Sequence, residues 1–213
     1  MDLMMRRNAL LACGKRSRLP SEYQEVEYVE STGTQYIQTD VIPSNDLGFD
    51  CTFYTKSYIS GTVGQYGCIF GGRNSSGHND YQLTTYTEDA KDGGHRYGSR
   101  AMAQAGITRL QKCKASRRYL EFTNCKGEKL QLKAYNWNAP IPITLFLLRN
   151  NEYQVQGGLG CRIYVMKFYD GDELIRNYIP CIRKSDNVVG MFEYVTGQFL
   201  TTPVGTLTAG REV

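Results

Sequence analysis

The chain has 213 residues, of which 41% are hydrophobic and 22% charged, a composition that suits one globular domain with a single core. Its formal net charge of +4 is confined to residues 1–18, because the remainder holds 20 basic and 20 acidic residues. A neutral body excludes the domain-wide basic face that nucleic-acid binding requires, and no apolar run approaches the roughly 20 residues that span a membrane.

Residues 1–18 form a basic, methionine-rich leader. Its apolar stretch, residues 9–13, is too short for a secretory signal and is followed by more basic residues, so export by this route is not predicted. A lipoprotein cleavage box ending at Cys13 lacks the same apolar run, and a solvated disordered tail stays open. We favour an attachment arm that orders against a partner as a short amphipathic helix. The residues assigned to this arm are Leu3, Met4, Met5, Arg6, Arg7, Leu10 and Leu11.

The predicted domain occupies residues 19–213 and opens with short strands. Pro20 marks the boundary, because proline disfavours helix in the residue before it. Residues 23–30 alternate apolar and polar side chains, which predicts a strand with one wet face. A second short strand is predicted at residues 36–39.

Two longer strands are predicted at residues 49–58 and 66–72, where apolar side chains recur at every second position. Residues 73–98 are then loop-like, apart from a short strand predicted at residues 81–86. Loops on a rigid scaffold often carry recognition, so this is where we expect a ligand.

Glycan recognition uses exposed aromatic rings with amide or carboxylate groups beside them, whereas tyrosine in a strand and a single tryptophan more often serve packing. Both interpretations stay open for each candidate. The candidate ligand-binding residues are Asn79, Asp80, Tyr81, Tyr86, Tyr97, Asn136 and Trp137.

The next predicted elements are a hairpin and a core strand. Residues 117–124 and 129–135 predict two paired strands, and residues 99–109 are irregular or a short strand. Residues 140–148 are the most apolar run in the chain and predict a buried strand.

Two hairpins are predicted in the last third of the chain. Residues 162–169 and 174–180 pair across the segment Asp170-Gly171-Asp172, since an Asp-Gly turn is the strongest short-range signal for a hairpin. Residues 188–194 and 198–202 pair in the same way across Thr196-Gly197.

Three segments of the chain have sequence patterns that occur together in one known family of domains. Residues 19–39 read LPSEYQEVEYVESTGTQYIQT, residues 68–74 read CIFGGRN, and residues 162–202 read RIYVMKFYDGDELIRNYIPCIRKSDNVVGMFEYVTGQFLTT. Together they resemble the concanavalin A-like, laminin-G-like jelly-roll domains of phage and prophage virion proteins from gut bacteria. The segments cover both ends of the domain, whereas residues 77–136 match little. The resemblance implies an all-β, two-sheet antiparallel jelly-roll β-sandwich, often suspected of binding glycans, and it transfers no catalytic motif.

The seven cysteines do not predict a zinc site, because none forms a Cys-x-x-Cys pair. Cys51, Cys68 and Cys161 fall within predicted strands, which favours buried free thiols and assembly in a reducing cytoplasm. One or two disulfides stay open.

Calcium is the metal that the resemblance raises, and it would need several oxygen ligands converging from loops. Loop residues of the right type lack a defining spacing, so neither a metal nor a cofactor is predicted. Those residues are Asn79, Asp80, Asp89 and Asp92.

No catalytic constellation is predicted. His78 and His95 lie in polar loops without a nucleophile motif beside them. Paired carboxylates of the glycosidase kind are absent, since the nearest sets occupy the opening strand and a hairpin turn. These sets are Glu25, Glu27 and Glu30, and Asp170, Asp172 and Glu173.

The prediction is therefore a non-enzymatic phage virion protein, assembled in the host cytoplasm, that displays its domain as a fibre, tail or capsid decoration. The domain would adhere to host-surface or mucus glycans, and the arm would bind other virion proteins. We expect a homo-oligomer with neither nucleic acid nor membrane as partner. The alternatives are a purely structural decoration or spacer without a ligand, a bacterial surface adhesin of the lipoprotein type, and a degenerate glycosidase.

Overall fold

The computed structural model describes eleven stretches of the chain, and every regular element within them is a β-strand. The stretches are residues 18–55, 66–73, 81–87, 93–97, 101–104, 111–115, 120–123, 129–132, 141–150, 155–156 and 160–213. The strands are β1 (Tyr23–Glu25), β2 (Val29–Ser31), β3 (Ile37–Gln38), β4 (Leu47–Thr55), β5 (Tyr66–Arg73), β6 (Tyr81–Thr87), β7 (Gly93–Tyr97), β8 (Ala101–Gln104), β9 (Gln111–Ala115), β10 (Leu120–Thr123), β11 (Lys129–Leu132), β12 (Thr144–Leu145), β13 (Leu148–Asn150), β14 (Val155–Gln156), β15 (Cys161–Asp170), β16 (Glu173–Arg183), β17 (Val188–Glu193), β18 (Gln198–Leu200) and β19 (Thr208–Ala209).

The strands of the described residues form two sheets. The larger has eleven strands in the order β11-β10-β9-β4-β15-β16-β17-β18, with β1 paired to β16, β2 to β15 and β19 to β2. The smaller has eight, in the order β14-β13-β5-β6-β7-β8, with β12 joining β5 to β3. The strand pairs are antiparallel except that β13 runs parallel to β5. The expected all-β, two-sheet architecture is confirmed.

The main core lies between the two sheets. Alternate residues of β4 and β15 are buried, as a strand with one face toward a core requires. The ring of Phe70, from the smaller sheet, meets Phe49 at 4.8 Å and Phe168 at 5.7 Å, both edge to face. Such aromatic contacts between sheets hold the layers together through burial as well as ring geometry.

The prediction of one continuous strand at residues 140–148 is wrong. Phe146 has a φ of 72°, so the chain reverses there and forms two short strands, β12 antiparallel and β13 parallel to β5. The Thr144 hydroxyl donates to the Leu147 carbonyl at 2.6 Å and so closes the reversal. An apolar run indicates that residues are buried, but it does not indicate which backbone conformation they adopt.

The opening strand predicted at residues 23–30 is divided into β1 and β2. The two parts pair with different strands, because β15 and β16 separate beyond the Met166–Tyr178 pair. The last residues of the chain pair along the same segment, with an isolated bridge between Val26 and Glu212. The first and last parts of the described domain are thus joined in one sheet.

The hairpins predicted from local turns are confirmed. β15 pairs with β16 across Gly171, and β17 pairs with β18 across Gly197, both glycines at positive φ. β10 and β11 form the third predicted hairpin. β7 was not predicted, because glycine, histidine and arginine within it give no alternation.

Four cysteines within the described residues are buried free thiols, and the predicted burial of three of them is confirmed. Burial raises the pKa of the Cys181 thiol to about 12 and holds those of Cys68 and Cys161 above their ordinary value. The four are Cys51, Cys68, Cys161 and Cys181. No helix in the described stretches is long and apolar enough to cross a membrane.

Candidate ligand-binding surface

The outer face of the larger sheet carries a group of half-buried tyrosines around one arginine. Because Cys161 and Ile163 point into the core, the alternate residues of β15, Arg162 and Tyr164, lie on the opposite face. Arg162 stands opposite Glu30 of β2 and Tyr54 of β4 in the sheet register. We call this group the tyrosine cluster, and it consists of Tyr28, Glu30, Tyr54, Arg162 and Tyr164.

Arg162 is the centre of the tyrosine cluster. Its Nε donates to Glu30 Oε2 at 2.6 Å. Its guanidinium carbon lies 4.3 Å from the ring centre of Tyr28 and 5.6 Å from that of Tyr54, distances typical of cation–π contacts. The Tyr28 and Tyr164 rings are 5.2 Å apart and inclined at 58°. Two aromatic rings therefore contact the guanidinium, and a third packs against one of them.

The two side chains of the Arg162–Glu30 ion pair are exposed to solvent to different extents. The Glu30 side chain is 6% exposed, whereas that of Arg162 is 25% exposed. The hydrogen bond to Glu30 raises the pKa of Arg162 above its ordinary value, although desolvation opposes this. A carboxylate as buried as Glu30 needs such a partner, since an unpaired buried charge is strongly unfavourable.

Gly210 packs closely against the ring of Tyr28. A Cβ atom at this position would lie 2.8 Å from two ring carbons of Tyr28, closer than real Cβ atoms approach. The C-terminal segment can pass beneath the Tyr28 ring only because residue 210 has no side chain. Tyr28 is therefore held on two sides, by Gly210 and by Arg162.

The chemistry available at this surface is binding. Tyrosine rings offer flat apolar faces, and their hydroxyls and the guanidinium offer hydrogen bonds. Within the described residues, no three His, Cys, Asp or Glu side chains lie together as a metal site would require.

Tyr81 is the one predicted ligand residue whose side chain the structure describes, and it lies in the core. Its ring is fully buried, 6.0 Å from that of Phe70, and its hydroxyl donates to the Leu47 carbonyl at 3.2 Å. The prediction that Tyr81 contacts a surface ligand is corrected, because β6 places this side chain between the two sheets.

Two other candidates are placed only by their backbones. Tyr86 lies in β6 opposite Gly94, and Tyr97 lies in β7 opposite Leu83, so they occupy neighbouring strands of the smaller sheet. The remaining predicted ligand, calcium and arm residues lie outside the described residues. They are Asn79, Asp80, Asn136, Trp137, Asp89, Asp92, Leu3, Met4, Met5, Arg6, Arg7, Leu10 and Leu11.

Sequence reasoning missed the tyrosine cluster. The alternation in β15 was a usable signal, since it places Arg162 and Tyr164 on the face away from the core. The sequence did not indicate which residue pairs with Arg162, because Glu30 is 132 positions away along the chain.

A second buried carboxylate, Glu193, supports a turn. It accepts backbone N–H groups from Asn177 at 2.7 Å, Val195 at 3.0 Å and Thr196 at 2.7 Å, and the Thr196 hydroxyl at 2.6 Å. Burial by itself would raise the pKa of this carboxyl, but the hydrogen bonds outweigh burial and hold the pKa below its ordinary value. With its oxygens occupied in this way, Glu193 stabilises the hairpin of β17 and β18.

Comparisons with protein-family models, with curated proteins and with solved structures found no match to this chain.

Proposed function

We propose that this protein is a non-enzymatic component of a phage virion that adheres to host-surface or mucus glycans through a concanavalin A-like jelly-roll domain. The observation that carries the binding part of the proposal is the tyrosine cluster. It combines Tyr54 and Tyr164, half-buried rings on an outer sheet face, with the hydrogen-bonding groups of Arg162.

The physical case for a glycan is that sugars have both apolar faces and many hydroxyls. An aromatic ring buries the apolar face of a pyranose, and nearby donors and acceptors replace the water on its hydroxyls. The cluster offers both within one patch. It also lies on a sheet, and a rigid element holds a binding constellation with less entropy loss than a loop does.

The virion setting rests on the resemblance carried by residues 19–39, 68–74 and 162–202. In that setting the basic leader is an attachment arm for other virion proteins, and the domain is displayed as a fibre, tail or capsid decoration, in several copies. A protein assembled in the host cytoplasm fits the buried free thiols of the described core.

A glycan array of the full chain tests the binding proposal. We expect wild-type protein to bind a subset of glycans, and Tyr54→Ala and Tyr164→Ala each to weaken binding at least about tenfold, or roughly 1.4 kcal/mol. The matched control is Tyr194→Ala, which removes an exposed ring in the turn between β17 and β18 and should leave binding unchanged. Absence of glycan binding, or equal binding by all four proteins, would overturn the proposal.

A purely structural decoration or spacer is the second candidate, and one observation favours it. The Arg162–Glu30 pair and the Tyr28–Gly210 contact join β15, β2 and the C-terminal segment, so the cluster also has a packing role. If that role were its whole purpose, Tyr54→Ala and Tyr164→Ala would alter stability alone, and the array would be empty.

A further inference from the structure

We infer that the glycan bound by this protein is an acidic one, a polymer carrying uronate or sulfate groups, and that a row of lysines beside the tyrosine cluster meets its charges. This inference rests on the proposed function, because it names the class of ligand for the same sheet face. It comes from the register of the larger sheet, in which β9, β10 and β11 continue from β4.

The outer face of the larger sheet extends from the tyrosine cluster onto β9. Residues 49, 51 and 53 of β4 are buried, so Asp50 and Thr52 share the outer face with Tyr54. Lys112 stands opposite Thr52 in the register of β4 and β9. Lys114 stands opposite Asp50. Residues directly opposite each other in antiparallel strands belong to the same face of a sheet, so these backbone positions assign both lysines to the outer face.

The sequences of β10 and β11 support this assignment. Each strand alternates apolar and polar residues, LEFT in β10 and KLQL in β11. The apolar positions are in register with the buried positions of β4, since Phe122 stands opposite Cys113 and Cys113 opposite Cys51. The polar positions of both strands are therefore in register with Asp50 and Thr52.

Two rows of residues cross this part of the outer face, and they differ in charge. In the first row, which we call the mixed row, acids alternate with bases. Across β10, β9, β4 and β15 it consists of Glu121, Lys114, Asp50 and Lys167. The second, which we call the lysine row, contains lysines and no acid. Across β11, β10, β9, β4 and β15 it consists of Lys129, Thr123, Lys112, Thr52 and Val165.

The lysine row leads into the tyrosine cluster. Its last residue, Val165, follows Tyr164 in the chain. Thr52 is two residues from Tyr54 on β4, or about 7 Å along the strand. Arg162 stands opposite Tyr54 in the same register. The positions of the lysine row and the guanidinium thus belong to one continuous surface.

The charge balance of this surface favours an anion. In the mixed row both lysines stand opposite Asp50, so opposite charges are neighbours there. In the lysine row both lysines stand opposite threonines, so no neighbour within the row offsets their charge. Arg162 adds the N–H groups of its guanidinium other than the Nε–H that it donates to Glu30. Cations grouped in this way attract a ligand of opposite charge.

The spacing of the lysine row suits an acidic polysaccharide. Neighbouring strands lie about 4.8 Å apart, so Lys112 and Lys129, two strands apart, have backbones roughly 10 Å from each other. This is about the length of a disaccharide, a unit that carries one acidic group in many polysaccharides. Such a chain stacks sugar rings on Tyr54 and Tyr164 and brings its next acidic groups to the lysines.

A single-stranded nucleic acid is the other polyanion that combines charge with flat rings. It carries a phosphate at every nucleotide, and its binding sites use many cations. Residues 19–213 hold 20 basic and 20 acidic residues, and the lysine row has two cations. This balance favours a ligand whose charges are widely spaced.

The test is a binding panel with the full chain, using a polyuronate, a sulfated glycan, a neutral glucan and single-stranded DNA. We expect binding to at least one acidic glycan, weakened at least about tenfold when NaCl is raised from about 50 to about 500 mM. Tyr164→Ala should weaken this binding at least about fivefold. DNA should bind at least about tenfold more weakly than the better acidic glycan, and the neutral glucan should not bind.

A pair of variants compares the two rows. Lys112→Ala and Lys114→Ala remove the same charge from the same strand, two residues apart. Lys112→Ala should weaken binding to the acidic glycan at least about fivefold, whereas Lys114→Ala should change it less than about twofold. Thermal unfolding of both variants shows whether either change acts through the fold. Lys129→Ala, on the edge strand β11, is a second variant of the lysine row with the same expected loss.

The outcomes separate the two proposals. Binding to neutral glycans alone, or equal losses from Lys112→Ala and Lys114→Ala, would overturn the acidic-ligand inference and leave glycan adhesion standing. DNA binding as tight as that of either acidic glycan would overturn the inference in favour of a nucleic-acid ligand. Failure to bind any of the four polymers, together with an empty array, would overturn both proposals.

Discussion

The outer face of the larger sheet has two regions that differ in residue type and in how far they are buried. Over β16, β17 and β18 it carries apolar residues that the chain covers, since Leu19 packs there against Ile179, Cys181 and Phe192. Over β4 and β15 it carries the tyrosine cluster, half-buried and interspersed with paired charges. We call the first region the covered half and the second the open half.

In the covered half, the first described residues of the chain pack on the sheet and stabilise it. Tyr23 stacks on Phe199 with ring centres 5.4 Å apart and meets Phe192 at 4.9 Å. This satellite core lies on the far side of the sheet from the main core and ties β1 to the C-terminal hairpins. The comparison shows that one sheet face is packed where a segment covers it and stays partly exposed where tyrosines and paired charges replace aliphatic residues.

The largest expected difference between the halves is in stability. Phe192→Ala removes a 5%-exposed ring from the covered half and should lower the free energy of unfolding by about 4 kcal/mol, through lost burial and the cavity left behind. Tyr54→Ala in the open half should cost less than about 1 kcal/mol. Urea denaturation of both variants measures this, and equal losses would abolish the distinction between the halves.

Within the open half, Arg162 is the exception that should be structurally costly. Arg162→Ala removes the ion pair between Arg162 and the buried carboxylate of Glu30 and should destabilise the protein by about 3 kcal/mol. The control is Arg211→Ala, whose side chain is largely exposed beside Glu27 and whose loss should cost no more than about 0.5 kcal/mol. Similar unfolding midpoints for the two variants would show that the Arg162–Glu30 pair is not required for folding.

Two glycines allow a finer comparison of the halves. A Cβ atom at Gly190, in the covered half, would lie 2.3 Å from the Leu200 carbonyl oxygen, so Gly190→Ala must displace the backbone of β18. We expect a loss of about 2 kcal/mol. A Cβ atom at Gly210 would meet only side-chain atoms, those of Tyr28 and Glu27, so Gly210→Ala should cost less, about 1 kcal/mol. Thermal unfolding would measure both, and a larger loss for Gly210→Ala would reverse the expected order.

The smallest expected effect is the dependence of stability on pH through Glu193, in the hairpin of β17 and β18. Because the pKa of Glu193 lies below its ordinary value of 4.5, its ionised form contributes stability above about pH 4.5 that is lost as the pH falls through the folded-state pKa. Wild type should therefore exceed Glu193→Gln by about 1–2 kcal/mol at pH 7. The difference should shrink below pH 4.5 in urea titrations, and a difference that stays constant down to pH 3 would contradict this assignment.

Local signals made the C-terminal hairpins predictable. Gly171 and Gly197 adopt positive φ within turns whose residues are adjacent in sequence, so the information needed to form them is contained in a few positions. The alternation of Phe49, Cys51 and Phe53 likewise predicted which face of β4 is buried. These features depend on backbone preference and on side-chain period, both of which can be read from the sequence.

Other features depend on contacts between distant segments. The positive φ of Phe146 is accompanied by a hydrogen bond from its N–H to the distant Ile69 carbonyl, which no local pattern encodes. Tyrosine is a residue type that often contacts ligands, but the Tyr81 side chain lies in the core because β6 directs it toward the other sheet. The burial of an individual tyrosine is decided by what packs against it.

The sequence by itself determined the all-β class, the hairpins and the inward faces of the main strands, because turn chemistry and period-two alternation act over a few residues. Only the tertiary structure decided which outward residues are covered and which charges are paired. Glu30 meets Arg162, and Leu19 meets Phe192, across more than a hundred intervening residues each, and it is the pairing of strands that brings them together.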